Sequence, residues 1–200
     1  MIGDFKRFDL ARRPNPQYRI LTPVTWALSY PSKWLRRSKI TKTGLDGVKP
    51  PYLLLCNHNS FLDFKVMTAA IFPRRANYVV AIDGFIGMEW LLRAVGCIGN
   101  RKFTNSALLV HNMIHAKERG KIVVLFPEAR YSLCGTSAVL PSSVGKFIRL
   151  LDVPVVSLIM HGHHLNRPFW SKKNRRISPV EADMRLLFTR EEAATLPVET

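Results

Sequence analysis

The stretch that most constrains this chain is Tyr52-Leu53-Leu54-Leu55-Cys56-Asn57-His58-Asn59-Ser60-Phe61-Leu62-Asp63. A short apolar run follows Pro50-Pro51, which reads as a buried strand. The run breaks into polar Asn57 to Ser60 and resumes as a helical pattern from Phe61. A strand that ends in a polar elbow and feeds a helix is where open α/β sheets place their ligands. The elbow presents an imidazole at His58 and a carboxylate at Asp63. With Ser60 as helix N-cap, Asp63 lies one turn into the helix and can fold back toward the elbow. A carboxylate there holds one imidazole nitrogen as N–H and leaves the other to accept a proton from a hydroxyl. The same residues also fit a purely structural role, because Ser60-x-x-Asp63 is a capping-box pattern and a carboxylate in the first turn favours the helix dipole.

Beyond the elbow, strand and helix patterns alternate. Phe61 to Ile71 reads as a helix stopped by Pro73, and Tyr78 to Ile82 as a strand rich in β-branched and aromatic residues. Gly87 to Val95 is a helix, and Gly96 to Lys102 a glycine-bearing strand or turn ending in two cations. Thr104 to Arg119 is an amphipathic helix closed by Gly120, and Lys121 to Phe126 the clearest buried strand. Val144 to Leu151, Val153 to Ile159 and Met184 to Phe188 read as helix, strand and strand. Thr189-Arg190-Glu191-Glu192 is a capping box opening a final helix. This alternation predicts an α/β fold with a mostly parallel central sheet flanked by helices.

Residues 1–43 differ in character and are read as a basic, aromatic, helical segment, with residues 44–200 as the domain proper. The first fifty residues carry eleven Lys and Arg against three Asp, a net +8 and so half of the chain's +16. Trp26, Tyr30 and Trp34 stand beside Lys33, Arg36, Arg37 and Lys39, a mixture suited to a helix lying in the headgroups of an anionic leaflet. Pro23 and Pro31 are expected to divide it into short helices. No run of 18 apolar residues is present, so contact with a membrane is expected to be peripheral, on the cytoplasmic face. Cys56, Cys97 and Cys134 have neither disulfide nor zinc spacing, which points to a reducing compartment.

Three strand ends bring polar groups that a parallel sheet would gather at one edge: Asn57-His58 with Asp63, Asn100-Arg101-Lys102, and Glu128-Ala129-Arg130-Tyr131-Ser132. A general base beside guanidinium groups suits transfer onto a phosphate-bearing alcohol. Arginine grips the phosphate with two parallel hydrogen bonds while the imidazole removes the hydroxyl proton. Other readings compete. Cys56 and His58 are spaced to share a strand face as a thiolate–imidazole pair, although a cysteine there is more often a small buried hydrophobe. His161-Gly162-His163-His164 invites a metal, but neighbouring imidazoles seldom converge on one ion without carboxylate or thiolate help, so solvent-exposed or pocket-rim histidines are expected and no metal. His111 and His115 have helical ligand spacing and no third ligand. A non-catalytic binder of anionic membranes is the alternative from another class; nothing resembles a nucleic-acid module.

Four blocks resemble those of the glycerolipid acyltransferases, the family of 1-acylglycerol-3-phosphate and lysophospholipid acyltransferases. Asn57-His58-Asn59-Ser60-Phe61-Leu62-Asp63-Phe64 is similar to the N-H-x-S-x-x-D block. Gly96 to Arg101 resembles the second block, Phe126-Pro127-Glu128-Ala129-Arg130-Tyr131-Ser132 the third, F-P-E-G-T-R-S, and Val153-Pro154-Val155-Val156 the fourth. The resemblance implies that His58 is the general base on the acceptor hydroxyl and that Asp63 orients it. Arg101, Lys102, Glu128 and Arg130, with Asn57 and Ser60, would bind substrate. The donor would be an acyl-CoA or acyl carrier protein thioester, with no other cofactor, and the acceptor a lysophospholipid, first 1-acylglycerol-3-phosphate giving phosphatidic acid. The third block departs from the family: Arg130 comes one position early and Tyr131 stands where the family has Arg, which leaves lysophosphatidylglycerol or another alcohol as the alternative acceptor.

Overall fold

The computed structural model describes residues 8–35, 38–60, 62–82, 87–100, 107–132, 134–136, 138–166 and 179–196. Its elements are α1 (Leu21–Leu35), β1 (Lys39–Thr43), β2 (Leu53–Cys56), α2 (Asp63–Ile71), β3 (Ala76–Ala81), α3 (Glu89–Ala94) and β4 (Cys97–Asn100). They continue with α4 (Ala107–Glu118), β5 (Ile122–Leu125), α5 (Ser143–Leu151), β6 (Val155–His161), α6 (His163–Asn166), β7 (Glu181–Phe188) and α7 (Arg190–Thr195). The strands form one seven-stranded sheet in the order β1-β7-β6-β2-β5-β3-β4. Five of them, β6, β2, β5, β3 and β4, run parallel, while β7 is antiparallel to β6 and β1 follows β7. The expected α/β architecture with a mostly parallel sheet is the one observed.

Period-two alternation on β2 explains why the sheet is covered on both faces. Leu54 and Cys56 point into one layer with Val66, Met67, Ala70 and Ile71 of α2. Leu53 points into the other with Leu109 and Met113 of α4 and Ile148 of α5. Leu53, Leu54, Met67 and Met113 are fully buried, and truncating any of them to Ala would cost about 2–5 kcal/mol. Thr189 makes the expected capping box with Glu192: its hydroxyl accepts from the Glu192 N–H at 3.2 Å, and the Glu192 carboxylate accepts from the Thr189 N–H at 2.8 Å.

Three differences from the sequence reading concern the N-terminal part. Lys39–Thr43, expected in the helical segment, is strand β1 at the sheet edge, in register from Lys39↔Glu181 to Thr43↔Arg185. Its side chains are almost all exposed, so it carries no apolar run to betray it. The single helix α1 runs through both Pro23 and Pro31. Pro23 lies in the first turn, where a helix has no use for the missing N–H. Residues 8–18 are neither helix nor strand but an extended strap held by buried donors of the domain. Asn77 donates to Asn15 O at 2.8 Å, Asn112 to Leu10 O at 3.0 Å, and Arg93, paired with Glu89, to Asp9 O at 2.6 Å. Arg36, Arg37, Arg101, Lys102, Lys172, Lys173, Arg175 and Arg176 lie outside the described residues.

Candidate active site

Because β2, β5 and β6 are parallel neighbours, their C-terminal ends meet at one edge. The elbow after β2 supplies His58, the turn after β5 supplies Glu128 to Ser132, and β6 ends beside His163. The elbow is stapled to β6 by amide side chains. Asn57 donates to Met160 O at 2.9 Å and accepts from Met160 N at 2.8 Å, and Asn59 donates to the same carbonyl at 2.6 Å. On the other flank the Ser132 N–H donates to His58 O at 2.7 Å. The elbow is therefore fixed by the main chain of β6 on one side and of the turn after β5 on the other.

Asp63 opens α2 and is wholly buried, and it folds back onto the elbow. One carboxylate oxygen, Oδ2, accepts from the Asn59 N–H at 2.6 Å and the Ser60 N–H at 2.9 Å, and faces His58 Nδ1 at 3.0 Å. The other, Oδ1, meets His163 Nδ1 in a short contact. Burial by itself pushes the Asp63 carboxyl up, but the hydrogen bonds of His163 and His58, with the Ser60 main chain, outweigh it and hold it below the usual range. An ionised carboxylate only accepts, so each imidazole carries its proton on Nδ1 and has Nε2 unprotonated in its neutral form. Ser60 is not the helix cap; its hydroxyl accepts from the Leu62 N–H at 3.1 Å, closing the turn just before α2.

His58 is the exposed member of the group, its side chain 23% accessible. Its ring packs against Phe126, at 4.5 Å between centroids, and Tyr131, at 4.3 Å. Glu128 is buried beside it. Burial pushes the Glu128 carboxyl up, against the pull of the Ala138 main chain and of His58. Arg130 is exposed. Ala129 between them holds a left-handed backbone at φ 52°, the position where the resembling block carries glycine. Asn100, ending β4, shares the edge three strands from β2, about 14 Å at the usual strand spacing; Arg101 and Lys102, which follow it, are outside the described residues.

The arrangement decides between readings the sequence left open. Cys56 is 1% exposed in the apolar layer. Burial first, and then the Asp63 charge, pushes its thiol well above the ordinary value, so it cannot serve as a thiolate nucleophile. His163, expected with its neighbours to be solvent-exposed or at a pocket rim, is instead 1% exposed and bonded to Asp63. No cluster of three His, Cys, Asp or Glu suited to a metal occurs among the described residues. The chemistry on offer is proton transfer: an oriented, accessible imidazole on a buried carboxylate at a parallel-sheet edge.

The Acyltransferase family model matches residues 39–161, which span every group of this site in the first three blocks and β6. The chain belongs to the Acyltransferase family. Among solved structures, this acyltransferase is similar to the 1-acyl-sn-glycerophosphate (LPA) acyltransferase PlsC from Thermotoga maritima. The TM-score is 0.60 at 16% identity, covering 84% of this chain and 68% of that one. At that identity the likeness concerns the fold. No curated protein matches the sequence closely enough to be reported as a relative. The family match begins with Lys39, so edge strand β1 is part of the acyltransferase unit.

Proposed function

We propose that this acyltransferase moves a fatty acyl group from a thioester to the hydroxyl of a lysophospholipid, first of all 1-acylglycerol-3-phosphate, giving phosphatidic acid. The observation that carries this reading is the 3.0 Å contact between Asp63 Oδ2 and Nδ1 of a partly exposed His58. Nε2 of His58 takes the acceptor's hydroxyl proton as the oxygen attacks the thioester carbonyl carbon. The tetrahedral intermediate collapses with cleavage of the C–S bond, and the imidazolium returns the proton to the departing thiolate. Asp63 stabilises the imidazolium while it exists. Arg101, Lys102 and Glu128 are the groups proposed to hold the acceptor's phosphate and glycerol, with acyl-CoA or acyl carrier protein as donor; either polyanion suits a chain of net charge +16.

The enzyme is proposed to work on the cytoplasmic face of an anionic membrane. Ile20, Val24 and Leu28 recur at helical spacing and are 74%, 44% and 66% exposed, an apolar stripe that follows Arg12 and Arg13 of the strap and Arg19 in the sequence. None of the described helices is long and apolar enough to cross a membrane. A second reading is favoured by Tyr131, which stands at the third block's Arg position in the sequence and packs its ring against His58: the acceptor carries another head group, such as phosphoglycerol.

Thiol release by purified protein on anionic vesicles tests the reading, with lysophosphatidate and lysophosphatidylglycerol offered separately and each donor tried. Acceptor-dependent release that disappears in His58→Ala supports transfer with His58 as base, and the preferred acceptor separates the two readings. Full activity in His58→Ala removes His58 as base. Vesicle binding without thiol release from either donor favours the non-catalytic alternative.

A further inference from the structure

Asp63 serves two imidazoles, and only one of them is open to solvent. We infer that His163 is a positioning residue: its Nδ1–H, bonded to Asp63 Oδ1, sets the orientation and charge distribution of the carboxylate that in turn orients His58. The inference rests on His58 being the base, as proposed above.

Four observations carry it. His163 is 1% exposed, so it cannot reach substrate directly and its polar edge is turned to Asp63. The two carboxylate oxygens divide their work, Oδ2 taking His58 and the Asn59 and Ser60 N–H groups while Oδ1 takes His163. With Oδ1 engaged, rotation of the carboxylate about its Cβ–Cγ bond would break both imidazole contacts at once. The turn that delivers His163 is also built for that one placement. Gly162 has φ 84°, and a Cβ on it would lie 2.5 Å from Pro179 O.

A donor on Oδ1 draws charge away from Oδ2. Removing it concentrates negative charge on the oxygen facing His58 and makes the imidazole a stronger base, while freeing the carboxylate to turn. The other titratable groups electrostatically felt around this pair are Cys56, Glu128 and Tyr131. Burial raises both the Cys56 thiol and the Tyr131 phenol, so neither competes as a charged partner at neutral pH, and Glu128 beside His58 is common to wild type and every variant compared.

The test compares His163→Asn, His163→Gln and His163→Leu with wild type and His58→Ala, reading kcat, acceptor KM and the acid limb of kcat/KM. Asn places an amide N–H close to the position of Nδ1, whereas Gln places it near that of Nε2. The expected result is a fall in kcat of about 10- to 100-fold for Leu and Gln, the range over which partners that orient a catalytic group act. Acceptor KM stays within about twofold, as positioning acts on the transition state. The acid limb moves to higher pH in Leu and Gln, and Asn returns both kcat and limb toward wild type. If Leu does not fold, the Asn–Gln pair decides. Wild-type kcat in Gln, or equal losses in Asn and Gln with the acid limb unmoved, reduces His163 to a packing residue and overturns the inference while leaving His58 as base. Full activity of His58→Ala overturns both readings together.

Discussion

Asn57 and Met160 lie 103 positions apart and exchange two hydrogen bonds, the Asn57 amide giving one to Met160 O and taking one from Met160 N, at 2.9 and 2.8 Å. The amide mimics a stretch of peptide main chain, so the elbow continues the β2–β6 ladder by one more rung after Cys56↔Leu158. Only a side chain with a donor and an acceptor in one plane can do this. Asn57→Asp replaces the donor by an oxygen facing a carbonyl, and Asn57→Ala leaves the buried Met160 N–H unmet, while Met160 O keeps its bond from Asn59. Each variant should lose about 1–3 kcal/mol of stability, the cost of one buried polar group left without a partner. Denaturant melts would show it, and an unchanged midpoint would reject this account of Asn57.

Asp63→Asn should reduce kcat about a thousandfold or more, as an amide cannot accept from both imidazoles and the two main-chain N–H groups. Its effect on stability should depend on pH. The native Asp63 carboxyl lies below its ordinary 3.8, so it binds a proton less readily folded than unfolded. That stabilisation is complete well above 3.8 and is lost as pH falls through the ordinary value and then the lower native one. The stability gap between wild type and Asp63→Asn should therefore narrow on acidification below about pH 4, followed by circular dichroism. A gap that widens there would contradict the assigned sign.

Ala129→Gly should stabilise the fold by about 1 kcal/mol, because a left-handed backbone costs an L-residue about 1–2 kcal/mol and glycine gives part of that back as chain entropy. The φ of 52° at Ala129 is the basis. Loss of thermal stability in the variant would show that the alanine methyl packs usefully at this turn.

Gly162→Ala should do the opposite. It meets both a left-handed φ of 84° and a 2.5 Å approach to Pro179 O, so the turn must shift and carry His163 with it. Activity should fall at least about tenfold through His163 with a melting temperature lower by several degrees, about 4–8 °C per kcal/mol in small domains and less in larger ones. A fully active, fully stable variant would mean that the turn is free to move.

Replacing Ile20, Val24 and Leu28 together by Ser should weaken vesicle binding about 10- to 100-fold or more, each buried aliphatic side chain contributing about 1.5–3 kcal/mol when fully withdrawn from water and less at a headgroup surface. Turnover of a short-chain, water-soluble acceptor should be unaffected. Equal loss on both substrates would place these residues in folding instead of membrane contact.

Much of this architecture is local in origin and so was readable along the chain. β2 and β5 announce themselves as apolar runs between polar turns, and α7 by its Thr189–Glu192 box. β1 does not, because an edge strand with exposed Lys39, Thr41 and Lys42 has no apolar face to display and is held by main-chain bonding to β7. The continuity of α1 through Pro31 was equally unreadable, since proline's local penalty argues against it, whereas α1 packs on α2 and Trp26 stacks at 5.0 Å on Phe72 just past the end of α2.

The sequence by itself determined the α/β class, the elbow and its His58–Asp63 spacing, because strand, turn and helix signals there depend on near neighbours. Only the tertiary structure decided that Cys56 is a core residue and that His163 shares Asp63. Nothing near position 163 in the chain distinguishes a rim histidine from a buried one. Its partner lies 100 residues earlier, and the two meet only because β6 pairs with β2 in parallel and Gly162 turns the chain beneath the elbow.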